Sequence, residues 1–127
     1  MNWEIRESIP GAYFANARLV QVLSDEISGV LYIRAVVDER EEQVFIYEGM
    51  YYSQLEEQHV GIVITLASEM TQAELTEPEY AKAADRLYNE CGIDDVFLKE
   101  MLKRGNHLFV HHTDQGKYLV LAKRLVL

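Results

Sequence analysis

At 127 residues, with 49% apolar and 26% charged side chains, the chain has the size and composition of one globular domain that needs no disulfide or metal staple. Cys91 is the only cysteine, which excludes an internal disulfide and fits a reducing, cytoplasmic setting. No apolar run approaches the ~18 residues of a spanning helix, and the opening MNWEIRESIPGAYF is acidic where a signal peptide carries its basic flank. The net charge of −9 weighs against binding to nucleic acid or anionic membranes, where attraction to phosphate dominates.

The first half is dense in β-branched and aromatic residues. NWEIRE is a candidate edge strand, and ANARLVQVL, GVLYIRAVVD, QVFIYEGMYY and HVGIVITLA each read as strands. The links SDEIS, EREE and SQLEEQ are too short for parallel crossovers, so the pairing is expected to be an antiparallel meander. The acidic turn DEREE lacks the alternating oxygen ligands and central glycine of a calcium loop and reads as solvated charge.

The period then changes. In TEPEYAKAADRLYNECG, Thr76 and Glu79 have the spacing of a capping box, with Pro78 in the first turn. Tyr80, Ala84, Leu87, Tyr88 and Cys91 share one helical face, and Gly92 supplies a left-handed stop. A second helix is expected to be capped by Asp94 or Asp95. Its apolar stripe is Phe97, Leu98, Met101 and Leu102, and Lys103, Arg104 and Gly105 mark its end.

The last element, HLFVHHTDQGKYLVLAKR, reads as a hairpin. A three-residue loop over Asp114–Gly116 would pair His112 with Tyr118, Val110 with Val120 and Leu108 with Ala122. Both faces of that ribbon are apolar toward its middle, which suits a position between two layers. The fold class expected for the whole chain is α+β. It comprises an antiparallel sheet of about five to seven strands in a single domain, with two consecutive helices on one face.

Three of the four histidines fall within His107–His112, yet their spacing does not suit a metal. His107 and His111 share a face but stand ~13 Å apart on a straight strand, and His111 and His112 point to opposite faces. No cofactor or metal is expected from the chain's motifs. His112 with Tyr118 is the pair that could act as an acid–base site. The simpler account is a half-exposed strand-end histidine, because no nucleophile or substrate site accompanies it. Cys91 sits at a helix C-terminus, where the dipole disfavours a thiolate. The two helices and hairpin have the spacing of a winged helix, but the would-be recognition helix opens on Asp94 and Asp95, which phosphate repels.

Residues 1–95 carry nineteen acidic and six basic side chains, net −13, whereas residues 96–127 carry two and six, net +4. The acidic portion contains the tyrosine-rich strand. Tyr47, Glu48, Tyr51, Tyr52, Glu56 and Glu57 together offer an aromatic and acidic surface of the kind protein interfaces use. Regular alternation forbids Tyr51 and Tyr52 from both facing inward. The expected function is therefore an acidic, cytoplasmic protein-binding module, regulatory or inhibitory in the manner of an antitoxin or immunity protein, with a basic partner. The alternative is a small-molecule or enzymatic pocket at the C-terminal hairpin. A homodimer pairing acidic face to basic third is permitted by the charges.

Overall fold

The computed structural model describes residues 16–37 and 41–126, together with the backbone of a short strand at Ile5–Arg6. The tip of the acidic turn, residues 38–40, lies outside the described residues, as does most of the opening segment. The strands are β1 (Ile5–Arg6), β2 (Ala17–Asp25), β3 (Val30–Val37), β4 (Glu41–Glu48), β5 (Tyr52–Ser53), β6 (Val63–Met70), β7 (His107–Thr113), β8 (Gly116–Ala122) and β9 (Arg124–Val126). Helices α1 (Ala81–Cys91) and α2 (Asp95–Lys103) are consecutive, as their two apolar stripes require. No helix among the described residues is long and apolar enough to cross a membrane.

The fold is α+β with one antiparallel sheet in the order β1-β9-β4-β3-β2-β6-β7-β8-β5. Nine strands exceed the expected five to seven because the ends are fragmented. β1 and β5 have two residues each and β9 has three.

The fragments also show something absent from the sequence reading: the sheet closes on itself. β9 continues β8 after a break at Lys123, and β5 continues β4 after Gly49–Tyr51. These two composite strands run side by side, with Ile46, Tyr47 and Glu48 opposite Val126, Leu125 and Arg124, and Tyr52 and Ser53 opposite Leu121 and Val120. Across the break, Lys123 N donates to Glu48 O and Tyr51 N to Leu121 O, at 3.0 and 2.8 Å. The narrowest seam lies between β2 and β6, where only Ala17 and Arg18 pair, with Ile64 and Val63. Both strands bulge there, at Val20 and at Thr65. A bulge shifts the inward-facing set by one residue, so Leu19 and Val22 both face inward, as do Ile64 and Ala67.

Closure makes two cores. Inside the ring sit Ala17, Leu19, Ile33, Phe45, Tyr47, Phe109, Val120 and Leu125 among others. Outside it, Leu108, Val110, Leu119 and Leu121 of β7 and β8 meet Ala83, Ala84, Leu87, Leu98 and Met101 of the helices. The C-terminal hairpin thus lies between two layers, which explains why it is apolar on both faces.

Two local expectations are corrected. The capping box is Thr71 with Glu74, opening a 3-10 turn over Gln72–Thr76. Thr76 instead donates its hydroxyl to Ala73 O, and α1 begins only after Pro78–Tyr80. The hairpin loop has two residues, not three, because Thr113 pairs with Gly116. The register therefore moves by one: His112 faces Lys117, and Tyr118 faces His111. The Asp94 cap and the left-handed Gly92 stand as expected, Asp94 Oδ1 accepting from Phe97 N at 2.8 Å.

Candidate functional site

A cleft of about 340 Å³ opens where three elements meet. Its lining comes from the end of β2 (Ser24), the β2–β3 turn (Glu26), the link from β4 through β5 (Met50, Tyr51, Tyr52, Ser53), Glu56, and Glu90 in the last turn of α1. The barrel's closure sets this arrangement. Met50 N donates to Gly29 O at 2.8 Å, tying the link to the β2–β3 turn, while β5 pairs with β8 and so reaches the layer that carries α1.

Each wall has a local cause. The turn SDEISG is held by Asp25, whose Oδ1 accepts from Ile27 N and Ser28 N at 3.0 and 3.3 Å, while Gly29 N donates to Asp25 O at 2.9 Å. Hydrogen bonds from Ser28, and then from Ile27, keep the Asp25 carboxyl below the usual carboxylate range. The turn presents Ile27 wholly to solvent, at 100% exposure. Tyr51, which lines the cleft, is also open to solvent, at 52% exposure.

The opposite wall is a fixed network. Tyr52 donates its hydroxyl to Glu90 Oε1 at 2.7 Å, and Arg86 brings Nε to Glu90 Oε2 at 3.0 Å and Nη2 to Oε1 at 3.4 Å. The Arg86 guanidinium, then Tyr52, lowers the Glu90 carboxyl; burial and the Glu90 bond push the Tyr52 phenol well up. Glu26 and Glu56 form no ion pair with a described residue.

The residues expected from the sequence divide here. Tyr51, Tyr52 and Glu56 line the cleft. Glu57 is exposed on the adjoining 3-10 turn, Glu57–His59. Glu48 lies on the far side of Gly49, half-buried, with Arg124 Nε at 3.7 Å. Tyr47 is corrected: it is fully buried inside the ring, its hydroxyl 2.6 Å from His111 Nε2 and its ring 5.1 Å from that of Phe109. It cannot meet a partner. The sequence reading missed Ser24, Glu26, Met50, Ser53 and Glu90. The one signal available was an isoleucine in an otherwise polar turn.

His112 and Tyr118 do not form a pair. Tyr118 packs its ring 4.6 Å from His59, whereas His112 meets Tyr80 at 6.0 Å. Burial, then Lys117, lowers the His112 pKa, and Lys117 itself reaches Glu79 at 3.9 Å. Tyr80 precedes α1 and Glu90 ends it, so the hairpin tip and the cleft lie ~15 Å apart along that helix. The other histidines are engaged structurally. His59 Nδ1 accepts from Glu56 N at 2.9 Å, and His107 Nδ1 lies 2.6 Å from Glu69 Oε1. His111 is fully buried, with Nδ1 donating to Tyr118 O at 3.3 Å and Nε2 accepting from Tyr47; burial pushes its pKa down to about 4. Among the described residues no group of three or more His, Cys, Asp or Glu is placed to hold a metal. Burial, and then Glu90, pushes the Cys91 thiol up to about 11, which leaves it a poor nucleophile.

The arrangement at the cleft suits binding of positive charge beside apolar contact. It combines three carboxylates, one of them already matched by an arginine, with two tyrosines and a fully exposed isoleucine at the turn. A scan against protein-family models, a search of curated proteins and a search of solved structures each found nothing that matches this chain.

Proposed function

We propose that the protein is a binding module that docks a basic partner protein through the end of the barrel bearing Ser24–Ile27 and Met50–Glu56. The observation that carries this reading is the cleft itself, with Glu26 in no ion pair among the described residues, Glu56 exposed at its rim, and Ile27 fully exposed at the turn beside it. An exposed isoleucine gains nothing for folding, and the Asp25 bonds fix the backbone of the turn that presents it. Preorganised apolar anchors surrounded by charge are what protein interfaces use for affinity, with the charges speeding encounter. The −13 net charge of residues 1–95 extends that attraction beyond the cleft.

The test compares capture by the unaltered chain and by an E26K/E56K variant from lysate of its source, at low salt and after a high-salt wash. A stoichiometric protein held by the unaltered chain, released by salt and lost with E26K/E56K, is the expected result. Equal capture by both chains, or none by either, removes the reading.

A further inference from the structure

We infer that the buried Tyr47–His111 pair is an acid-sensitive latch on the ring: a proton arriving at His111 breaks it, and the β4–β9 joint opens while the β2–β3–β4 meander stays folded. Neither residue belongs to the cleft, so the latch is independent of the docking face.

The polarity of the pair is fixed. A carbonyl oxygen only accepts, so Nδ1, 3.3 Å from Tyr118 O, carries the one hydrogen of the neutral imidazole. Nε2 is then the acceptor, and the Tyr47 hydroxyl, 2.6 Å away, is the donor. A second proton has to settle on Nε2, where it meets that hydroxyl hydrogen head on. The Tyr47 oxygen can accept the new N–H only by turning its own hydrogen into the interior it shares with Leu19, Phe45 and Phe109. A displaced hydroxyl hydrogen and a cation are both costly in such surroundings. Of the described groups packed against the imidazole, Ala67 of β6 is apolar, Tyr118 of β8 turns its ring to His59, and His112 beside it disfavours the charge further. Burial outweighs the help of the Tyr118 carbonyl, so the closed ring holds the His111 pKa down at about 4.

The pair spans the ring from β4 to β7, and its two ends are held unequally. β7 is paired with β8 from His107 to Thr113 and with β6 from Leu108 to Thr113. β4 is paired with β3 along its whole length but with β9 only at Ile46–Glu48, where Leu125 lies opposite Tyr47. On its other side β9 holds β1 through Ile5 and Arg6 alone. The β2–β6 seam is narrow too, but it carries neither residue of the pair. Backbone bonds from Leu19 N to Ile62 O and from Gly61 N to Leu19 O, at 2.9 and 2.7 Å, also extend it. The β4–β9 joint is therefore where the ring gives. Once water enters there, His111 titrates near its ordinary 6.5, and acid favours the open form.

The experiment is native-state amide hydrogen exchange of the full ¹⁵N-labelled chain at pH 7 and pH 5, without and with mild urea. Rates are expressed as protection factors, which removes the pH dependence of the exchange chemistry itself. Amides of Ile46–Glu48 and Arg124–Val126 should be less protected than those of Leu31–Ala35 and insensitive to mild urea. From pH 7 to pH 5 their protection should fall about twentyfold, the ratio that values of about 4 closed and 6.5 open give. His111→Gln, which cannot take the proton, should abolish that fall. Tyr47→Phe, which keeps the ring but removes the bond, should lower seam protection about tenfold already at pH 7. Seam amides that exchange only together with Leu31–Ala35, at the same urea slope, overturn the inference. So does seam protection that is equal at the two pH values, a twentyfold fall that persists in His111→Gln, or no change in Tyr47→Phe.

Discussion

Gln54 offers the sharpest test of how the two layers are joined. It is fully buried, and three of its hydrogen bonds cross between elements. Its backbone N donates to Leu119 O at 2.8 Å, its Oε1 accepts from Leu119 N at 2.9 Å, and its Nε2 donates to Ala83 O at 2.9 Å. One side chain therefore completes the β8 edge where β5 ends and pins α1 to it. Gln54→Leu keeps the volume and the backbone bond but removes both side-chain bonds. The Leu119 amide is then buried without a partner, which costs about 1–3 kcal/mol, and losing the Ala83 contact adds about 0.5–1 kcal/mol. A net loss of about 2–3 kcal/mol should move the urea midpoint down by about 1–2 M, given slopes of ~1–3 kcal/mol/M for small domains. Equilibrium urea unfolding followed by circular dichroism measures this, and hydrogen exchange at the Leu119 amide reports the site directly. A midpoint within about 0.3 M of the unaltered protein, with Leu119 still protected, would refute the argument that this amide depends on Gln54.

Gly49 has φ +62, and a Cβ there would lie 2.8 Å from Lys123 Cγ and 2.9 Å from Lys123 Cβ, the inflexible part of that side chain. Gly49→Ala should therefore cost about 2 kcal/mol in thermal or urea unfolding, from left-handed strain plus the clash. The His111 pKa is about 4 in the fold against 6.5 unfolded, so the unfolded chain binds the extra proton. Stability from this residue is complete above pH 6.5 and drains as pH falls toward 4, by up to about 3 kcal/mol. Unfolding midpoints between pH 7 and 4, with the His111 ring followed by NMR, should show that slope, and His111→Phe should reduce it, leaving the smaller part due to His59 and His112. Asp94→Ala removes the cap on Phe97 N and should cost about 1 kcal/mol, whereas Ile27→Asp, fully in solvent, should leave the melting temperature unchanged while weakening partner capture.

The sequence was most readable where one residue type has one local meaning. The stripe through Leu87 and the stop at Gly92 are local to α1 and the cap at Asp94 is local to α2, and they stand in the structure. The register of the last hairpin was not legible. Thr113 and Gly116 close a two-residue loop around Asp114 and Gln115, residues that a three-residue loop accommodates equally well. That one-residue difference moved Tyr118 from the His112 face to the His111 face and undid a candidate pair. Barrel closure was hidden for another reason. It depends on Glu48 meeting Arg124, a pairing that local periodicity does not record. The cleft suffered likewise: Tyr51, Tyr52 and Glu56 were visible as a cluster in the chain, but Glu26 and Glu90 join them only through tertiary packing. Tyr47 was misplaced because alternation reveals that neighbours differ in facing, but not which of them faces the core.

The pairing of β4 with β9 also has a kinetic side. Residues 46–48 wait for partners at 124–126, so the ring has no local route to closure. The β2–β3–β4 meander can form early from near neighbours, but its inner face stays uncovered until β6–β9 arrive. Long loops must be closed before such contacts repay their entropy, which places this chain among slow folders for its size. During synthesis the meander would emerge with Leu31, Ile33 and Phe45 exposed, a period in which the acidic charge of the first ninety-five residues keeps neighbouring chains apart. The charge proposed to draw a basic partner to the finished barrel would thus also serve the unfinished one.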